Sequence, residues 1–527
     1  MTKKFNATGL CIPENNYMVD ISSKINTIIT DYIQEGKYFT INRGRQYGKT
    51  TTLYLLEQQL KDHYLVLSLS FEACDELFVS LYTLAVGLVR KISRVLKAQK
   101  VKQSLVDDWN QPISEQFPLD DLGERITSLC SSADKEIVLI IDEVDKNSDN
   151  QIFLSFLGLL RNKYLGQLKR TDCTFRSVIL AGVYDIKNLK IKLHHGEESK
   201  YNSPWNIAVD FTVNMDFMPE DIAAMIQEYE KDQQTGMDID KISRQIYEYT
   251  SGYPYLVSRL CQIADEKLPG TEDFPKKQDA WTRKGIVAAE LLLRKESNTL
   301  FDDMVKKLAD YPKLKLMLQN ILFCGSIYPF EKDNDLINLG VTFAFLKENN
   351  GVVAVKNRIF ETKLYDLFLS EMYTDHANSQ THSIERNQYI VNDSLQMKLV
   401  MEKFYQHFTE IYGDSDWKFV ENQGRKIFLM YLKPIINGTG NYYIEAQTRD
   451  MRRTDIIVDY HGKQFIIELK IWHGSEYNQR GEKQLFEYLD YYGADTGYLL
   501  SFNFNKNKKT GIQEISQNGK HILEVVV

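Results

Sequence analysis

Two groups of residues in this chain have the types and the spacing to do chemistry, and the first lies near the C-terminus. Asp455 is followed by Glu468, and Lys470 comes two positions after Glu468. Side chains alternate between the two faces of a strand, so Glu468 and Lys470 would point the same way. Two carboxylates beside an ammonium group suit a hard divalent cation with oxygen ligands. The natural chemistry of such a site is metal-assisted attack of water on a phosphodiester.

A predicted β-hairpin would bring these side chains together. Residues 454–459 and 464–470 are rich in branched apolar side chains and favour strands. The four residues between them, 460–463, include a glycine and are typical of a hairpin turn. Pairing of the two strands would place Asp455 beside Glu468.

Neighbouring elements would add further groups to this site. A helix is predicted over residues 481–491 and an apolar strand over 497–502, and Gln484 lies on the helix. Glu445 falls in the predicted preceding strand and would add a third carboxylate, with Glu421 as a weaker alternative. Three arginines lie just before Asp455, and they would either meet substrate phosphates or form a solvated basic turn. They are Arg449, Arg452 and Arg453.

This pattern of hairpin, helix and strand with Asp455, Glu468 and Lys470 resembles the PD-(D/E)XK nuclease superfamily, with Thr454 in place of the proline. The resemblance implies that Asp455 and Glu468 hold Mg²⁺ and that Lys470 positions or polarises the attacking water. It also implies that Gln484 supports the site and that the domain is an α/β, restriction-endonuclease-like fold. The alternative is that Glu468 and Lys470 are the solvated face of an edge strand.

The second group is a loop near the N-terminus with the sequence RGRQYGKT, between a predicted strand at 38–42 and a predicted helix at 51–61. Gly48 would let backbone amides approach a phosphate, and Lys49 would reach the β and γ oxygens. Thr50 would offer its hydroxyl to Mg²⁺. The phosphate-loop pattern requires a glycine where this chain has an arginine. The residues predicted to bind ATP are Arg43, Gly44, Arg45, Gln46, Tyr47, Gly48, Lys49, Thr50 and Thr51.

A second motif supports the phosphate loop. The apolar run at 137–141 predicts a buried strand that ends in Asp142 and Glu143. Asp142 would hold the Mg²⁺ through water, and Glu143 would orient or activate the attacking water. A buried strand that ends in an acidic turn is the alternative for this segment alone.

Together these motifs resemble the AAA-like, STAND-related P-loop NTPases, some of which begin the phosphate loop with a basic residue, as Arg43 does here. Residues 250–254, TSGYP, are similar to a G-x-P motif that helps the helical lid of that group to sense nucleotide. A simple turn between two helices is the alternative. Residues 335–370 resemble a winged helix, which either binds DNA or forms part of the nucleotide-gated body.

The order of predicted elements indicates an α/β protein. Apolar runs at 65–69, 137–141 and 178–181 predict buried strands of a parallel sheet. Four regions follow from the patterns: a P-loop AAA-like ATPase core at 1–218, a helical lid and winged helix at 219–373, a polar linker at 374–393 and the nuclease domain at 394–527.

The net charge of −8 over 527 residues excludes a global basic field, so any contact with nucleic acid must come from local patches. One candidate patch would either contact nucleic acid or be a solvated helix face; it consists of Arg90, Lys91, Arg94, Lys97, Lys100 and Lys102. No apolar run reaches the roughly 18 residues that a membrane span requires. The six cysteines are scattered, without metal-binding spacing. These features predict a cytoplasmic protein with no membrane partner.

The sequence therefore predicts an ATP-binding, Mg²⁺-dependent nuclease that cleaves DNA, with the ATPase module gating the nuclease and Mn²⁺ as an alternative metal. The expected partners are DNA and further copies of the chain in a homo-oligomer. Two other functions stay open. One is a STAND-type switch in which nucleotide controls assembly and the nuclease is a defence effector. The other is a non-cleaving, DNA-binding regulatory ATPase that uses the winged helix.

Overall fold

The computed structural model describes residues 3–144, 151–183, 204–324, 326–375, 389–391, 394–412, 421–436, 440–447, 453–460, 463–472, 475–503, 510–517 and 519–527. The chain divides into two compact units. The first unit contains Met1–Lys307 and Phe330–Phe360, and the second contains Leu308–Pro329 and Glu361–Val527. Both units mix helices with a central sheet, so the predicted α/β class is confirmed.

The strands and helices are numbered here in chain order. The strands are β1 (Lys4–Phe5), β2 (Asn16–Tyr17), β3 (Phe39–Asn42), β4 (Leu65–Ser70), β5 (Ile137–Asp142), β6 (Ser177–Gly182), β7 (Leu346–Asn349), β8 (Val352–Val355), β9 (Ile390–Val391), β10 (Ser394–Leu395), β11 (Gly440–Gln447), β12 (Arg453–Tyr460), β13 (Lys463–Ile471), β14 (Thr496–Phe502), β15 (Gly511–Gln517) and β16 (Lys520–Val526). The helices of the first part of the chain are α1 (Ser22–Ile28), α2 (Lys49–Leu60), α3 (Leu81–Ala98), α4 (Gln103–Trp109), α5 (Pro118–Ser132), α6 (Gln151–Leu168), α7 (Pro219–Gln233), α8 (Ile239–Thr250) and α9 (Pro254–Glu266). The remaining helices are α10 (Lys277–Ala280), α11 (Arg283–Lys295), α12 (Thr299–Asp310), α13 (Pro312–Cys324), α14 (Asp335–Thr342), α15 (Arg358–Asp375), α16 (Met397–Tyr412), α17 (Glu421–Ile436) and α18 (Ser475–Tyr492).

The first unit is built on a parallel sheet with the strand order β3-β6-β5-β4. These strands are apolar on both faces because helices cover them, with α3, α5 and α6 packing on one side. The strands predicted from apolar runs are therefore confirmed. A parallel bridge between Phe39 and Val209 continues the pairing on the free side of β3. Because parallel strands end at one edge, the loop after β3 and the acidic end of β5 lie on the same side of the sheet.

Helix α2 begins at Lys49, two residues earlier than predicted, and it does so because Gly48 takes a left-handed backbone conformation with φ +79° just before the first turn. Beyond the sheet the chain is helical from α7 to α13, as predicted. In the region predicted as a winged helix, β7 and β8 form an antiparallel hairpin. Its turn residues Asn350 and Gly351 both have positive φ, at 52° and 81°, as an Asn-Gly hairpin turn requires.

Gly252, in the turn between α8 and α9, has no room for a side chain. Its φ is +72°, and a Cβ atom there would lie 2.1 Å from the carbonyl oxygen of Phe217. We expect Gly252→Ala to lower the free energy of unfolding of the first unit by about 3–5 kcal/mol, because the strained backbone and the collision add together. Gly270→Ala is the matched control, since Gly270 has φ +87° but nothing within 4 Å, and it should cost only about 1–2 kcal/mol. Thermal unfolding followed by circular dichroism would contradict this account if the two variants lost the same stability.

The second unit contains a six-stranded mixed sheet with the order β11-β12-β13-β14-β16-β15. The pairs β11–β12, β12–β13 and β15–β16 are antiparallel, and β13–β14 and β14–β16 are parallel. Residues of α16 and α17 pack against one face of the sheet, and α18 packs against the other. The predicted hairpin, helix and strand of the nuclease pattern are therefore present as β12, β13, α18 and β14.

Helix boundaries in the second unit differ from the predictions. The predicted nuclease domain starts at residue 394 with β10, which pairs with β9, and α16 begins after it at Met397. α18 begins at Ser475, before the predicted start at residue 481, since its first six residues are mostly polar and carry no apolar periodicity. Most of the predicted linker, residues 376–388, lies outside the described residues. Tyr389, near its end, is buried in the core with its hydroxyl 2.8 Å from that of Tyr431.

Candidate active sites

The loop between β3 and α2 folds around its own lysine. The Lys49 ammonium group donates hydrogen bonds to the carbonyl oxygens of Arg43, at 3.0 Å, and Gly44, at 3.1 Å. Lys49 is the first residue of α2, and Gly48 is its N-cap. The loop therefore combines a cation with the N-terminal end of a helix, which is a favourable environment for a phosphate group.

Two predicted metal ligands meet beside this loop. The Thr50 hydroxyl donates to a carboxylate oxygen of Asp142 at 3.3 Å, and the Glu143 amide donates to the other oxygen at 2.9 Å. A hydroxyl and a carboxylate at this separation are the oxygen donors that Mg²⁺ prefers, so the residues present fit such an ion. Glu143 has a left-handed backbone with φ +58°, a conformation that costs about 1–3 kcal/mol and is concentrated at functional sites.

Arg43 occupies the place of the missing glycine without needing a glycine's backbone, since it is not among the positive-φ residues. Its guanidinium group donates to the carbonyl oxygens of Asn42, at 2.9 Å, and Val213, at 3.1 Å. The same group lies 5.2 Å from the centre of the Phe211 ring. Burial lowers the pKa of Arg43. Arg43 therefore anchors the start of the loop to the 211–213 segment.

Tyr47 links the loop to residues far away in the sequence. Its hydroxyl donates to Asp216, and the Lys356 ammonium group lies 2.6 Å from the same carboxylate. Burial raises the pKa of Tyr47, and the neighbouring Asp216 carboxylate raises it further. The Tyr47 ring packs edge-on against Tyr253, at 4.6 Å between ring centres, and the Tyr253 hydroxyl donates to the Arg45 carbonyl. Sequence reasoning missed Asp216 and Lys356, because nothing in the local pattern connects positions so far apart.

The loop also contacts α12 and the region around the β7–β8 hairpin. A Cβ atom on Gly44 would lie 3.2 Å from both the carbonyl oxygen of Phe343 and the Cβ atom of Ala344. The Gln46 side-chain amide donates to the Thr299 hydroxyl at 2.9 Å. A side chain at position 44 would therefore be crowded by Phe343 and Ala344. These contacts and the Gln46–Thr299 hydrogen bond hold the loop in place.

A cavity that is partly open to solvent adjoins the loop and the first turn of α2. Thr51 and Thr52 line one side, and the segment around Asn6 to Cys11 lines another. The Cys11 amide donates to the Thr51 hydroxyl at 3.2 Å. Pro254 and its neighbours in α9 line a further side, so the TSGYP motif lies next to this space.

The C-terminal candidate residues Glu468 and Lys470 share one face of β13. The Glu468 side chain is 1% exposed, and its carboxylate lies 2.8 Å from the Lys470 ammonium group, which is 15% exposed. Strand β13 lies between β12 and β14 in the interior of the sheet. The alternative of a solvated edge-strand face is therefore wrong. Leu469 points to the opposite face, into the core with α16 and α17.

Helix α18 covers the Glu468–Lys470 pair. A Cβ atom on Gly481 would lie 3.3 Å from the Cγ atom of Lys470, so the missing side chain lets the helix pass close to the lysine. Gln484 follows one turn later, and its amide donates to the Tyr488 hydroxyl at 2.7 Å. The buried Tyr488 ring therefore holds Gln484 in a defined orientation.

The remaining predicted ligands are only partly described. Asp455 lies in β12 next to Ile456, which pairs with Ile467, but its side chain lies outside the described residues. The same holds for the side chain of Glu445 in β11. Among the side chains that the structure does describe, no three His, Cys, Asp or Glu groups converge as a metal site would need. Also outside the description are the side chains of Glu421, Arg449, Arg452 and Arg453.

A second buried acid lies on the same face of the sheet. Glu524 in β16 is fully buried. Glu468, Leu499 and Glu524 form one row across the neighbouring strands β13, β14 and β16. The Gln513 amide donates to the Glu524 carboxylate. Sequence reasoning missed Glu524, although a single acid within the apolar run at 522–527 was a usable signal.

Comparison with known proteins finds one family match in each half of the chain. Residues 10–192 match the family described as Predicted AAA-ATPase, and residues 441–515 match the PD-(D/E)XK nuclease superfamily. The first match contains the phosphate loop and Asp142, and the second contains Glu468 and Lys470. The chain thus carries an AAA-type P-loop ATPase domain followed by a PD-(D/E)XK nuclease domain. Both domains point to enzymatic activity, and together they suggest nucleotide binding and nuclease activity.

Several solved structures are similar to this chain at low identity. The Walker-type ATPase PABY2304 of Pyrococcus abyssi is 12% identical, with 68% of this chain and 99% of that chain covered and a TM-score of 0.42. The Aeropyrum pernix ORC1 protein in complex with DNA is 12% identical, with 67% and 94% covered and a TM-score of 0.32. No curated protein matches this chain. In the parts of the chain that the structure describes, the helices lack the combination of length and apolar character that crossing a bilayer requires.

Proposed function

We propose that this protein is an ATP-binding, Mg²⁺-dependent nuclease that cleaves DNA and whose nuclease domain is gated by its ATPase domain. The observation that carries the proposal is the buried Glu468–Lys470 ion pair within the segment that matches the nuclease superfamily. Removing a carboxylate from water costs several kcal/mol, which argues that the charge is kept for function.

In the nuclease domain, Asp455 and Glu468 would hold the Mg²⁺ ion, or Mn²⁺ in its place. The bound ion would supply Lewis-acid stabilisation of the phosphodiester and a more acidic water. Lys470, 2.8 Å from Glu468, would position the attacking water and offset the negative charge of the carboxylates. Gln484, on α18, would support this site with its side-chain amide. Glu445, on β11, would add a further carboxylate.

In the ATPase domain, the backbone from Gly44 to Gly48 and the Lys49 ammonium group would bind the phosphates of ATP. Thr50 and Asp142 would hold its Mg²⁺ ion, and Glu143 would orient the attacking water. The cavity beside Thr51 would take the purine base. Its lining is mostly apolar with a few polar groups, which is the usual composition of a site for a flat organic ring.

The contacts of the loop within the first unit support the proposed gating. The Lys49 ammonium group bonds to two loop carbonyls, and a phosphate would replace those contacts with its own oxygens. The same loop is joined through Tyr47 and Asp216 to Lys356, beside the β7–β8 hairpin. Nucleotide binding would therefore shift the equilibrium of the lid and hairpin region as well as the loop.

The test is cleavage of plasmid DNA by the full-length protein with Mg²⁺ or Mn²⁺, with and without ATP. We expect nicking and linearisation with metal, no cleavage in EDTA, and a change of about tenfold or more in rate on adding ATP, equivalent to about 1.4 kcal/mol of coupling. RNA of equal length is the parallel substrate. Intact plasmid under every metal and nucleotide condition would contradict the nuclease, and an ATP-independent rate would contradict the gating alone.

A nucleotide-controlled assembly switch with the nuclease as effector is the second candidate. The observation that favours it is the chain of contacts from the phosphate loop to Lys356. The expected homo-oligomer would then form or dissociate with ATP. A mass change on adding ATP in light scattering, lost in Lys49→Ala, would support this candidate, and a constant mass would count against it.

A further inference from the structure

One exposed helix face carries basic charge alone. Residues 77–106 contain six arginines and lysines and no acidic residue, in a chain whose net charge is −8. Within this stretch, α3 exposes Arg90, Arg94 and Lys97 to solvent, and Lys100 is exposed just beyond its end. The spacing of four and then three residues puts the three helical side chains on one side of α3. Arg90, Arg94, Lys97 and Lys100 are called the basic ridge below.

Structural roles account for the other two basic residues of the stretch and, within the ridge, for Lys97 in part. Lys102 forms an ion pair with Asp134 at 2.7 Å, and Lys91 donates to the Ser70 carbonyl at 3.1 Å. Lys97 lies in the last turn of α3, where a cation offsets the helix dipole. Arg90 and Arg94 lie further from that end. In the described part of the chain, no carboxylate forms an ion pair with any of the four ridge residues.

The ridge is held on a rigid support. α3 starts with a capping box in which the Ser80 and Thr83 side chains bond reciprocally to backbone amides. Its opposite face is buried in the core of the first unit through residues such as Leu84, Leu88 and Ile92. The positive side chains therefore keep a fixed spacing, and binding a partner costs little ordering of the backbone.

The spacing and composition of the ridge fit the backbone of a double helix. Arg90 and Lys97 are about 10 Å apart along the helix axis, since each residue advances the helix by about 1.5 Å. One strand of B-DNA presents a phosphate every 3.4 Å or so along its axis and winds about that axis, so a ridge of this length reaches more than one phosphate. The exposed residues of α3 include no aromatic side chain, and single strands bind proteins largely by base stacking on aromatic rings.

We propose that the basic ridge binds the phosphate backbone of duplex DNA and retains the substrate on the protein independently of the nuclease site. The proposal rests on the proposed function in one respect, namely that the chain acts on DNA. Because the contacts are to phosphates, binding would not depend on base sequence. The ridge would thereby give a net acidic protein a local site for a polyanion.

The test compares two neutralised variants of the full-length chain in EDTA, so that binding is measured without cleavage. One is Arg90→Gln/Arg94→Gln/Lys97→Gln. The matched control is Lys231→Gln/Lys306→Gln/Lys332→Gln, which removes the same charge from exposed positions outside α3. Fluorescence anisotropy with a 30-base-pair duplex between 50 and 300 mM NaCl gives the slope of log affinity against log salt. Each lost phosphate contact should reduce this slope by about 0.9.

We expect the ridge variant to have a slope smaller by about 2–3 and an affinity at least about tenfold weaker at 100 mM salt, with the control unchanged. Equal slopes for wild type and ridge variant, or tighter binding to duplex RNA than to DNA, would overturn the proposal. So would the absence of DNA binding by the wild type. A chain that binds DNA with the expected slopes but cuts nothing with metal would support the ridge and contradict the nuclease.

Discussion

Glu468→Gln is expected to lower the rate of DNA cleavage by a factor of about 10³ or more. The substitution preserves the size of the side chain but removes the charge that would hold the metal ion and that now pairs with Lys470 at 2.8 Å. Metal-ion stabilisation of a phosphodiester transition state is worth several kcal/mol, and each 1.36 kcal/mol corresponds to a factor of ten. Initial rates of plasmid nicking in Mg²⁺ measure the effect.

The control is Lys463→Gln, an exposed position on the same strand. It should leave the nicking rate within about twofold of wild type, because surface substitutions change stability by about 0.5 kcal/mol or less. ATP hydrolysis measured on the same preparations shows whether the ATPase domain is intact. A Glu468→Gln variant that nicks DNA within about threefold of the wild-type rate would end the assignment of Glu468.

Loss of activity through unfolding has to be separated from loss of a metal ligand. Glu468→Gln leaves the Lys470 ammonium group in a largely buried place without its partner charge, which costs up to about 3–5 kcal/mol. The double variant Glu468→Gln/Lys470→Met removes both charges, and replacing a buried ion pair by neutral groups is often tolerated. We expect it to recover thermal stability but no cleavage. Recovery of both would mean that the pair is structural.

Metal binding gives a readout that does not depend on cleavage. A ligand at a hundred times its Kd stabilises the folded state by about 2.7 kcal/mol. Saturating Mn²⁺ should therefore raise the melting temperature of the nuclease domain in the wild type, and Glu468→Gln should lose that increase. Lys463→Gln should keep it.

The sequence predicted what depends on neighbouring residues. Strands β4, β5 and β6 were predictable because a parallel sheet covered on both faces needs continuous apolar runs. The Asn350-Gly351 turn was predictable because its backbone angles favour those two residue types. The facing of Glu468 and Lys470 follows from the alternation of a strand alone. Each of these features is determined within fewer than ten residues.

What the sequence did not predict depends on contacts across long separations. Tyr47 and Asp216 are 169 positions apart, and Asp216 and Lys356 are 140 positions apart. No periodicity or motif records such a pairing. Arg43 is a related case, since the missing glycine looked like a defect of the phosphate loop. The structure gives it a positive role, because its guanidinium group reaches the Val213 carbonyl and packs on Phe211.

Lys49→Ala is expected to reduce ATP hydrolysis by a factor of about 10³ or more and to weaken ATP binding. The Lys49 ammonium group lies within the phosphate loop at the N-terminus of α2. The two arginines of the loop are engaged elsewhere, Arg43 with the Val213 carbonyl and Arg45 with Asp303. In a low-dielectric site, a positive charge aimed at the transferring phosphoryl group is worth several kcal/mol. Phosphate release and fluorescent-ATP binding measure the two effects. Lys61→Ala, at the exposed C-terminal end of the same helix, is the control and should change neither.

Comparison with Glu143→Gln then separates ATP binding from ATP hydrolysis as the gating event. Glu143→Gln keeps Lys49, Thr50 and Asp142 but loses the carboxylate proposed to orient water, so it should bind ATP normally and hydrolyse it about 10²–10³-fold more slowly. If binding gates the nuclease, plasmid nicking by Glu143→Gln responds to ATP as the wild type does, and nicking by Lys49→Ala does not respond. If hydrolysis is needed, both variants lose the response. Nicking that responds to ATP in Lys49→Ala would contradict any route through the phosphate loop.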